Sequence, residues 1–356
     1  MVDDEERVVK LFITVDVEED QWGITPPRYV TVDNVRHLPT LHKLFQKFGI
    51  EPTYLLTYPV AMDAHAIGIL REMLEAGVCE IGSHCHPWNT PPYDELLNKY
   101  NSMLCNLPST LQFEKLQRLH KGIHDNFGTN PIVFRCGRWG FGREVLNSIV
   151  RLGYRVDTSI TPYTSWAESC GPDFSMFTPR LFEFSFTPVA DGHSRACLLE
   201  LPATIGYLRG DFEGCRRLAR ILGRTPFRQL KVAGLFSKLR LLQKVWLSPE
   251  LESPVRMIRL VRQMRNQGYG ALNLFFHSTS LMKGCNPFVR TAEDEQRFLQ
   301  NLNCFLGLVK EEGVTFSTTS GIAGLTSPSC DLLTGSAVTS SHRPPSHLVM
   351  PTVPSA

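Results

Sequence analysis

One pattern recurs six times along the chain: an amphipathic helical stretch, a single glycine and a short apolar strand. The glycines that separate helix from strand are Gly49, Gly77, Gly128, Gly153, Gly268 and Gly313. A glycine at this place is typical of a helix that ends in a left-handed residue. A seventh apolar strand, residues 8–15, precedes the first unit. Helices that alternate with strands predict an α/β fold with a parallel sheet, and about seven strands favour an irregular (β/α) barrel.

Two stretches interrupt this repeat. Residues 160–250 are too long for one crossover, and they contain two predicted strands, LFEFSF and CLLELPATIGY, followed by a basic segment. Residues 327–356 are rich in serine, threonine and proline without apolar periodicity, which predicts a disordered tail. The sequence therefore predicts one barrel domain over residues 7–326 with a long insertion at about 160–250.

The composition favours a cytoplasmic protein. The acidic start of the chain and its short, broken apolar run do not resemble a secretory signal peptide. No stretch approaches the ~18 consecutive apolar residues of a membrane-spanning helix. The ten cysteines are scattered without a CxxC pair, which favours reduced thiols in a reducing compartment.

Chemically capable side chains follow the predicted strands. In parallel barrels the active site lies at the C-terminal ends of the strands. The residues at or just beyond those ends are Asp16, Glu18, His84, His86, Trp88, Arg135, Arg138, Trp139, Asp157 and His277. Each has an ordinary structural explanation by itself, such as a turn cap, a buried histidine or a paired surface charge. Their joint placement predicts a functional site at one rim of the barrel.

His84 and His86 suggest a metal site. Residues two apart on a strand lie ~6.6 Å apart on one face, so both imidazoles can reach a single ion. Two histidines with a carboxylate and an open fourth position form a catalytic zinc pattern. The sequence therefore predicts a divalent metal, zinc in the first place, with Co²⁺ or Ni²⁺ as alternatives.

Five motifs in order resemble the polysaccharide deacetylases that carry the NodB-homology domain (carbohydrate esterase family four). They read TVDVEED, EIGSHCHPW, RCGRWG, GYRVDTS and LFFHS, and the resemblance runs from about residue 8 to about residue 325. Two departures mark a divergent branch: Val17 separates the two acids of the first motif, and one residue, Cys85, separates histidines that the family spaces by three.

The resemblance implies hydrolysis of an N-acyl group, most simply acetyl, from an amino sugar of a surface polysaccharide or glycan. It implies Asp16 as the general base and His277 as the general acid. Arg135 is expected to orient Asp16, and Asp157 to hold the His277 ring.

The same resemblance implies that Glu18, His84 and His86 bind the metal. Trp88, Trp139 and Arg138 are expected to bind substrate, although ordinary core packing explains the two tryptophans equally well. The substrate is expected to be a carbohydrate linked to a lipid or a nucleotide.

The basic segment, residues 215–247, contains nine lysines or arginines and no acid. Its apolar residues recur at helical spacing, so a helix with a solvated basic face is the ordinary explanation. The alternative is peripheral contact with the inner face of the membrane. Interleaved aromatic residues are few and the formal net charge of the chain is only +2, so the sequence does not favour nucleic-acid binding.

Two other functions fit the sequence. A deformylase or small-molecule amidohydrolase would use the same fold and metal on a different amide. A non-catalytic carbohydrate-binding or scaffold protein would retain the barrel without its chemistry.

Overall fold

The computed structural model describes residues 8–186, 196–222 and 243–324. The strands are β1 Lys10–Val17, β2 Thr53–Leu56, β3 Glu80–Cys85, β4 Val133–Cys136, β5 Val156–Asp157, β6 Phe182–Phe186, β7 Ala196–Glu200, β8 Ile205–Tyr207, β9 Lys244–Trp246, β10 Ala271–His277 and β11 Thr315–Phe316. The α-helices are α1 Leu38–Gln46, α2 Tyr58–Met62, α3 Ala64–Glu75, α4 Ser109–Phe127, α5 Arg143–Arg151, α6 Phe212–Leu222, α7 Pro254–Asn266 and α8 Ala292–Glu311.

The main sheet is curled and mostly parallel. Its strand order is β10-β1-β2-β3-β4-β5-β7-β6, and β11 pairs with the start of β1. Every pair is parallel except β6 with β7, and a separate antiparallel pair is formed by β8 and β9. The sheet forms a half-barrel, which confirms the predicted α/β fold of the (β/α) barrel type.

The six predicted helix–glycine–strand units are all present. Each of the six glycines has a positive φ, between 67° and 88°, which is the left-handed conformation that favours glycine. One strand is shorter than the sequence pattern PTYLLTYPV predicts. It ends at Leu56, and α2 begins at Tyr58 with a proline in its first turn, where the missing N–H of proline has no helical partner.

Side chains on the inner face of the half-barrel change from apolar to charged along β1. Alternate residues share a face, and the inward face of β1 is Phe12, Thr14 and Asp16. Phe12 belongs to an inner apolar cluster, whereas Leu11, Ile13, Val15 and Val17 pack outward against the helices. The apolar layer therefore fills the N-terminal end of the half-barrel, and the charged residues lie together at the C-terminal end.

The predicted insertion contributes to this architecture. The first predicted strand is β6, whereas the second is divided into β7 and β8, which belong to different sheets. Strand β7 pairs in parallel with β5. The chain beyond β7 then crosses to β10, because Ala203 N donates to Ile160 O at 3.0 Å and Thr204 N donates to Asn273 O at 3.3 Å. After β9, Leu247 O accepts from Phe275 N at 3.3 Å. This segment borders the free edge of β10 and leads directly to Glu250.

Two predictions fall on parts of the chain that are not described. The tail at 327–356 lies outside the described residues, as do residues 223–242 of the basic segment. Within the described ranges, no helix is both long enough and apolar enough to cross a membrane.

Candidate active site

Glu18, His84 and His86 converge at the C-terminal end of the half-barrel. Glu18 Oε1 lies 2.7 Å from His84 Nε2 and 3.1 Å from His86 Nε2, and the two Nε2 atoms are 2.8 Å apart. All three residues are buried. Burial raises the pKa of the Glu18 carboxyl, but the positive charges of His86 and His277 and the close contacts of both site histidines outweigh it. The net pKa lies well below the ordinary value, so Glu18 is ionised.

This donor set fits a divalent cation. His84 Nδ1 lies 3.1 Å from the backbone oxygen of Arg135, and because a carbonyl oxygen only accepts, that nitrogen carries the proton in the neutral ring. His84 Nε2 then presents a lone pair 2.7 Å from a carboxylate oxygen, an arrangement that a cation between the two atoms stabilises. Ligand atoms that share a tetrahedral zinc ion at ~2.0–2.2 Å lie about 3.3–3.6 Å apart, so a small outward shift of these side chains would admit the ion. The outer contact of His84 with a carbonyl is also typical of metal-bound histidine.

His86 is held by its neighbours in the loop that follows β3. Its ring packs edge-on against Trp88, with 4.1 Å between ring centroids. Glu19 anchors this loop, because its carboxylate accepts from Asn89 Nδ2 at 2.8 Å and from Trp88 Nε1 at 3.3 Å. On the opposite side a Cβ atom at Gly137 would lie 2.3 Å from His86 Cδ2. Only glycine therefore lets the β4 loop approach the imidazole this closely.

A buried lysine of helix α4 holds the same loop in place. Lys115 on α4 is fully buried, and its Nζ donates to the backbone oxygens of Pro87, Thr90 and Pro92 and pairs with Glu95 at 2.9 Å. A buried ammonium requires such partners, since an unpaired buried charge is strongly destabilising. Lys115 thus couples helix α4 to the segment that begins at His86.

Asp16 lies beside the triad and is oriented by Arg135. Arg135 is completely buried and donates through Nη1 to Asp16 Oδ1 at 2.7 Å, through Nη2 to Thr14 Oγ1 at 2.6 Å and through Nε to Thr158 O at 3.2 Å. The second carboxylate oxygen, Oδ2, lies 3.8 Å from His277 Nε2. Asp16 therefore has one oxygen committed to Arg135 and one directed toward His277.

His277 is held by a residue that the sequence reasoning did not identify. Its Nδ1 lies 2.9 Å from Glu250 Oε2, and its backbone N donates to Glu250 Oε1 at 3.0 Å. Burial lowers the pKa of the imidazole, but attraction to Glu250, Glu18 and Asp16 outweighs it and raises the pKa to about 10. His277 is therefore a cation at neutral pH, with Nε2 directed to Asp16.

Asp157 occupies a different position from the one expected. Its carboxylate accepts from Ser159 Oγ at 2.7 Å and from Ser159 N at 3.1 Å, and it is paired with the buried carboxyl of Glu200 in the register of β5 with β7. Burial raises the pKa of both carboxyls, and repulsion by Asp157 raises that of Glu200 further. The expectation that Asp157 holds His277 is corrected by the strand order, because five steps along the sheet separate β5 from β10.

A cleft of about 790 Å³ opens above these residues. All five tryptophans of the chain line it: Trp22, Trp88, Trp139, Trp166 and Trp246. Trp22 is 45% exposed and stands edge-on to His277 with 5.0 Å between ring centroids, whereas Trp88 is only 3% exposed. Sequence reasoning selected Trp88 and Trp139 from their motifs. It did not select Trp22, Trp166 and Trp246. Trp22 follows the TVDVEED motif by two residues, and the other two lie in the insertion, outside any motif.

The sequence gives only a weak indication that Glu250 belongs to the site. It is the first acid after the long basic segment, and Ser248 and Pro249 separate it from the short apolar stretch VWL. The strand that precedes it, β9, pairs only with β8, so no helix–glycine–strand unit points to Glu250. Asp20, the remaining acid of the first motif, points away from the cleft and accepts from Thr31 Oγ1 and from the backbone N of Asn34.

Comparisons with known proteins agree with this fold. No protein-family model matches the chain, and no curated protein sequence matches it. Among solved structures, a candidate polysaccharide deacetylase from Mycobacterium smegmatis has 16% identity and a TM-score of 0.51, over 90% of this chain and 91% of that chain. A candidate glycoside hydrolase/deacetylase from Parabacteroides distasonis has 12% identity and a TM-score of 0.55, over 90% and 71%. The chain has the fold of polysaccharide deacetylases, which confirms the predicted resemblance at the level of the fold.

Proposed function

We propose that this chain is a metal-dependent hydrolase that removes an N-acetyl group from an amino sugar. One observation carries the proposal: a buried Glu18–His84–His86 triad adjoins an Arg135-oriented aspartate and a charged histidine in a single cleft. Ligand atoms of Asp16, Glu18 and His277 also lie within 4.8 Å of one another. A candidate metal site, a base and an acid are therefore contiguous.

The protein groups divide the proton transfers of amide hydrolysis between them. When bound by Glu18, His84 and His86, a divalent ion such as Zn²⁺ would supply Lewis acidity toward the amide carbonyl and lower the pKa of water. Asp16 Oδ2 accepts the proton of the attacking water, and His277 Nε2 donates a proton to the leaving nitrogen. The raised pKa of His277 keeps its proton available at neutral pH.

The walls of the cleft support a carbohydrate substrate. Flat apolar faces of sugar rings pack on aromatic side chains, and tryptophan offers the largest such surface with a polar N–H at its edge. The volume of about 790 Å³ lies within the range of small-molecule sites. The fold is the one found in polysaccharide deacetylases, which favours an amino sugar over other amides as the first substrate to test.

The first experiment measures metal and turnover together. Full-length protein purified without added metal is analysed for bound ions, loaded with zinc, and incubated with N-acetylated amino sugars while released acetate is quantified. We expect about one ion per chain in the parent and little in an H84A/H86A double variant. Absence of metal binding in the parent after zinc, cobalt and nickel are supplied would contradict the proposal.

The assignment of the base has its own test. D16N should reduce turnover by at least about 1,000-fold, since general-base catalysis contributes ~10²–10⁴-fold and the Arg135 contact is weakened as well. Metal content should stay near one ion per chain because Asp16 is not in the triad. D125N, at an exposed acid of α4, is the matched control and should behave as the parent does. Normal turnover in D16N would show that another group is the base.

The same assays separate the alternatives. Release of formate in preference to acetate from matched N-acyl sugars would indicate a deformylase. Sugar binding without release of any acyl group, in protein that holds its metal, would indicate a carbohydrate-binding role.

A further inference from the structure

Arg138 is a cation in the cleft without a counter-ion. It lines the cleft beside Trp139 and is only partly exposed. Among the described residues its guanidinium has one hydrogen-bond acceptor, Ser102 Oγ, and no carboxylate forms an ion pair with it. A guanidinium has five N–H donors, so most of its donor capacity remains for a ligand.

The acids of the cleft are already committed to other partners. Asp16 pairs with Arg135, Glu18 with the two site histidines, and Glu250 with His277. None of these three acids forms an ion pair or a hydrogen bond with Arg138. The counter-charge for this half-buried cation must therefore come from solvent or from a molecule in the cleft.

The backbone holds Arg138 in place rather than leaving it on a loose loop. Arg138 and Trp139 have φ of 53° and 61°, a left-handed conformation that non-glycine residues adopt rarely and often at functional sites. Backbone hydrogen bonds fix the turn, from Gly140 N to Gly137 O at 3.1 Å and from Cys105 N to Gly140 O at 2.9 Å. The turn thus fixes the cation and the indole at adjacent positions, next to the glycine that contacts His86.

We propose that the natural substrate carries an anionic group, a phosphate or a carboxylate, and that Arg138 binds this group. The inference rests on the proposed function and specifies its substrate class. Arginine matches phosphate and carboxylate with two parallel N–H donors, which gives geometry as well as attraction. Lys99 adds a second cation to the cleft lining, and its Nζ donates to a backbone oxygen, Glu168 O, at 2.6 Å.

Burial is consistent with this assignment. Loss of solvent lowers the pKa of the Arg138 guanidinium, which means that its charge is held in an unfavourable environment until an anion approaches. An anion in the cleft would stabilise the charged form directly.

Three N-acetylated probes test the inference on zinc-loaded, full-length protein: N-acetylglucosamine, its 1-phosphate, and N-acetylmuramic acid, which carries a carboxylate. We expect at least about a 10-fold higher kcat/KM for one anionic probe than for the neutral one. In R138Q the ratio of anionic to neutral kcat/KM should fall by about 10- to 100-fold, since a lost charge-assisted hydrogen bond has that size. The probe whose ratio falls identifies phosphate or carboxylate. R143Q, at an exposed arginine of α5, should keep the parental ratio.

A binding measurement makes the inference independent of turnover. Tryptophan fluorescence of chelator-treated full-length protein is titrated with each probe, and anionic probes should bind more tightly to the parent than to R138Q. A parent that binds and hydrolyses neutral and anionic probes alike would overturn the inference, without reliance on any variant, and would leave the proposed deacetylase intact. If no probe is hydrolysed but the anionic preference depends on Arg138, the proposed function fails and the anion site stands.

Discussion

Glu250 is expected to set the pKa of His277, and the pair can be perturbed without any substrate. Glu250→Gln removes the negative charge and keeps an oxygen that can accept from the imidazole. The two side chains are in direct contact in the parent protein: Nδ1 of His277 lies 2.9 Å from Oε2 and 3.2 Å from Oε1 of Glu250. Ser280 Oγ also donates to Oε1, which fixes the carboxylate in this orientation.

The size of the effect follows from Coulomb's law and burial. The Glu250 side chain is 2% exposed and that of His277 is 18% exposed, so bulk water screens the pair only in part. Two unit charges ~4 Å apart at an effective dielectric constant of ~20 interact by about 4 kcal/mol, which corresponds to about three pH units. Asp16 and Glu18 remain in the variant. We therefore expect the pKa of His277, about 10 in the parent, to fall by about two to three pH units.

The assay is an NMR titration of the imidazole Cε1–H signals in metal-free, full-length protein. E252Q is the matched control, because Glu252 lies two residues away and pairs with Arg256 at 2.5 Å instead of with the histidine. It should leave the His277 titration unchanged. A shift smaller than about half a pH unit in E250Q, or an equal shift in E252Q, would refute the electrostatic reasoning.

The same linkage predicts how stability depends on pH. The folded-state pKa of His277, about 10, lies above its ordinary value of 6.5. The protonated ring therefore stabilises the folded state fully below about pH 6.5, and this contribution is lost as pH rises through about 10. E250Q lowers the folded-state pKa toward 6.5, so its deficit in unfolding free energy relative to the parent should be largest below about pH 6.5 and should shrink as pH rises toward about 10. Urea unfolding should therefore show a larger deficit at about pH 6 than at about pH 9.

Two further substitutions probe the support of the proposed metal-binding triad. Gly137→Ala places a Cβ atom 2.3 Å from His86 Cδ2 and should weaken zinc binding by about 10- to 100-fold in a competition titration. Gly270→Ala is the control, because a Cβ there meets nothing within 4 Å. Equal zinc affinities of the two variants would show that the loop moves to accommodate the Cβ atom. Lys115→Met should lower the free energy of unfolding by about 3–5 kcal/mol, because it leaves Glu95 buried and unpaired. Lys121→Met, on the exposed face of α4, should change it by less than about 1 kcal/mol. Similar losses for the two variants in chemical denaturation would count against the anchoring role of Lys115.

The convergence of the strand-end residues could be predicted without knowledge of strand order. All carboxyl ends of a parallel sheet lie at the same edge, whichever strands are neighbours. Asp16, His84, Arg135 and His277 were located by this rule alone. Register then brings two pairs side by side, Asp16 with His277 and His84 with Arg135.

Contacts that depend on strand order or on the insertion could not be predicted. Periodicity does not reveal that β10 adjoins β1 or that β7 adjoins β5. Glu250 reaches His277 because the segment after β9 borders the free edge of β10, a tertiary contact between residues 27 apart that leaves no local signal. Trp246 lies on β9 of this segment, and Trp166 packs edge-on against it with 6.4 Å between ring centroids.

The position of Asp157 shows what its motif does in this chain. Ser159 Oγ donates to Asp157 Oδ1 at 2.7 Å and accepts from Cys136 N at 2.8 Å, so the acid fixes the end of β4, one residue beyond Arg135. Arg135 in turn donates to Thr158 O at 3.2 Å. Because Arg135 orients Asp16, the motif that was expected to contact His277 supports the proposed base instead. The proposed general acid and the proposed general base are thus supported from opposite flanks of the sheet, His277 by Glu250 of the insertion and Asp16 by the β4–β5 pair.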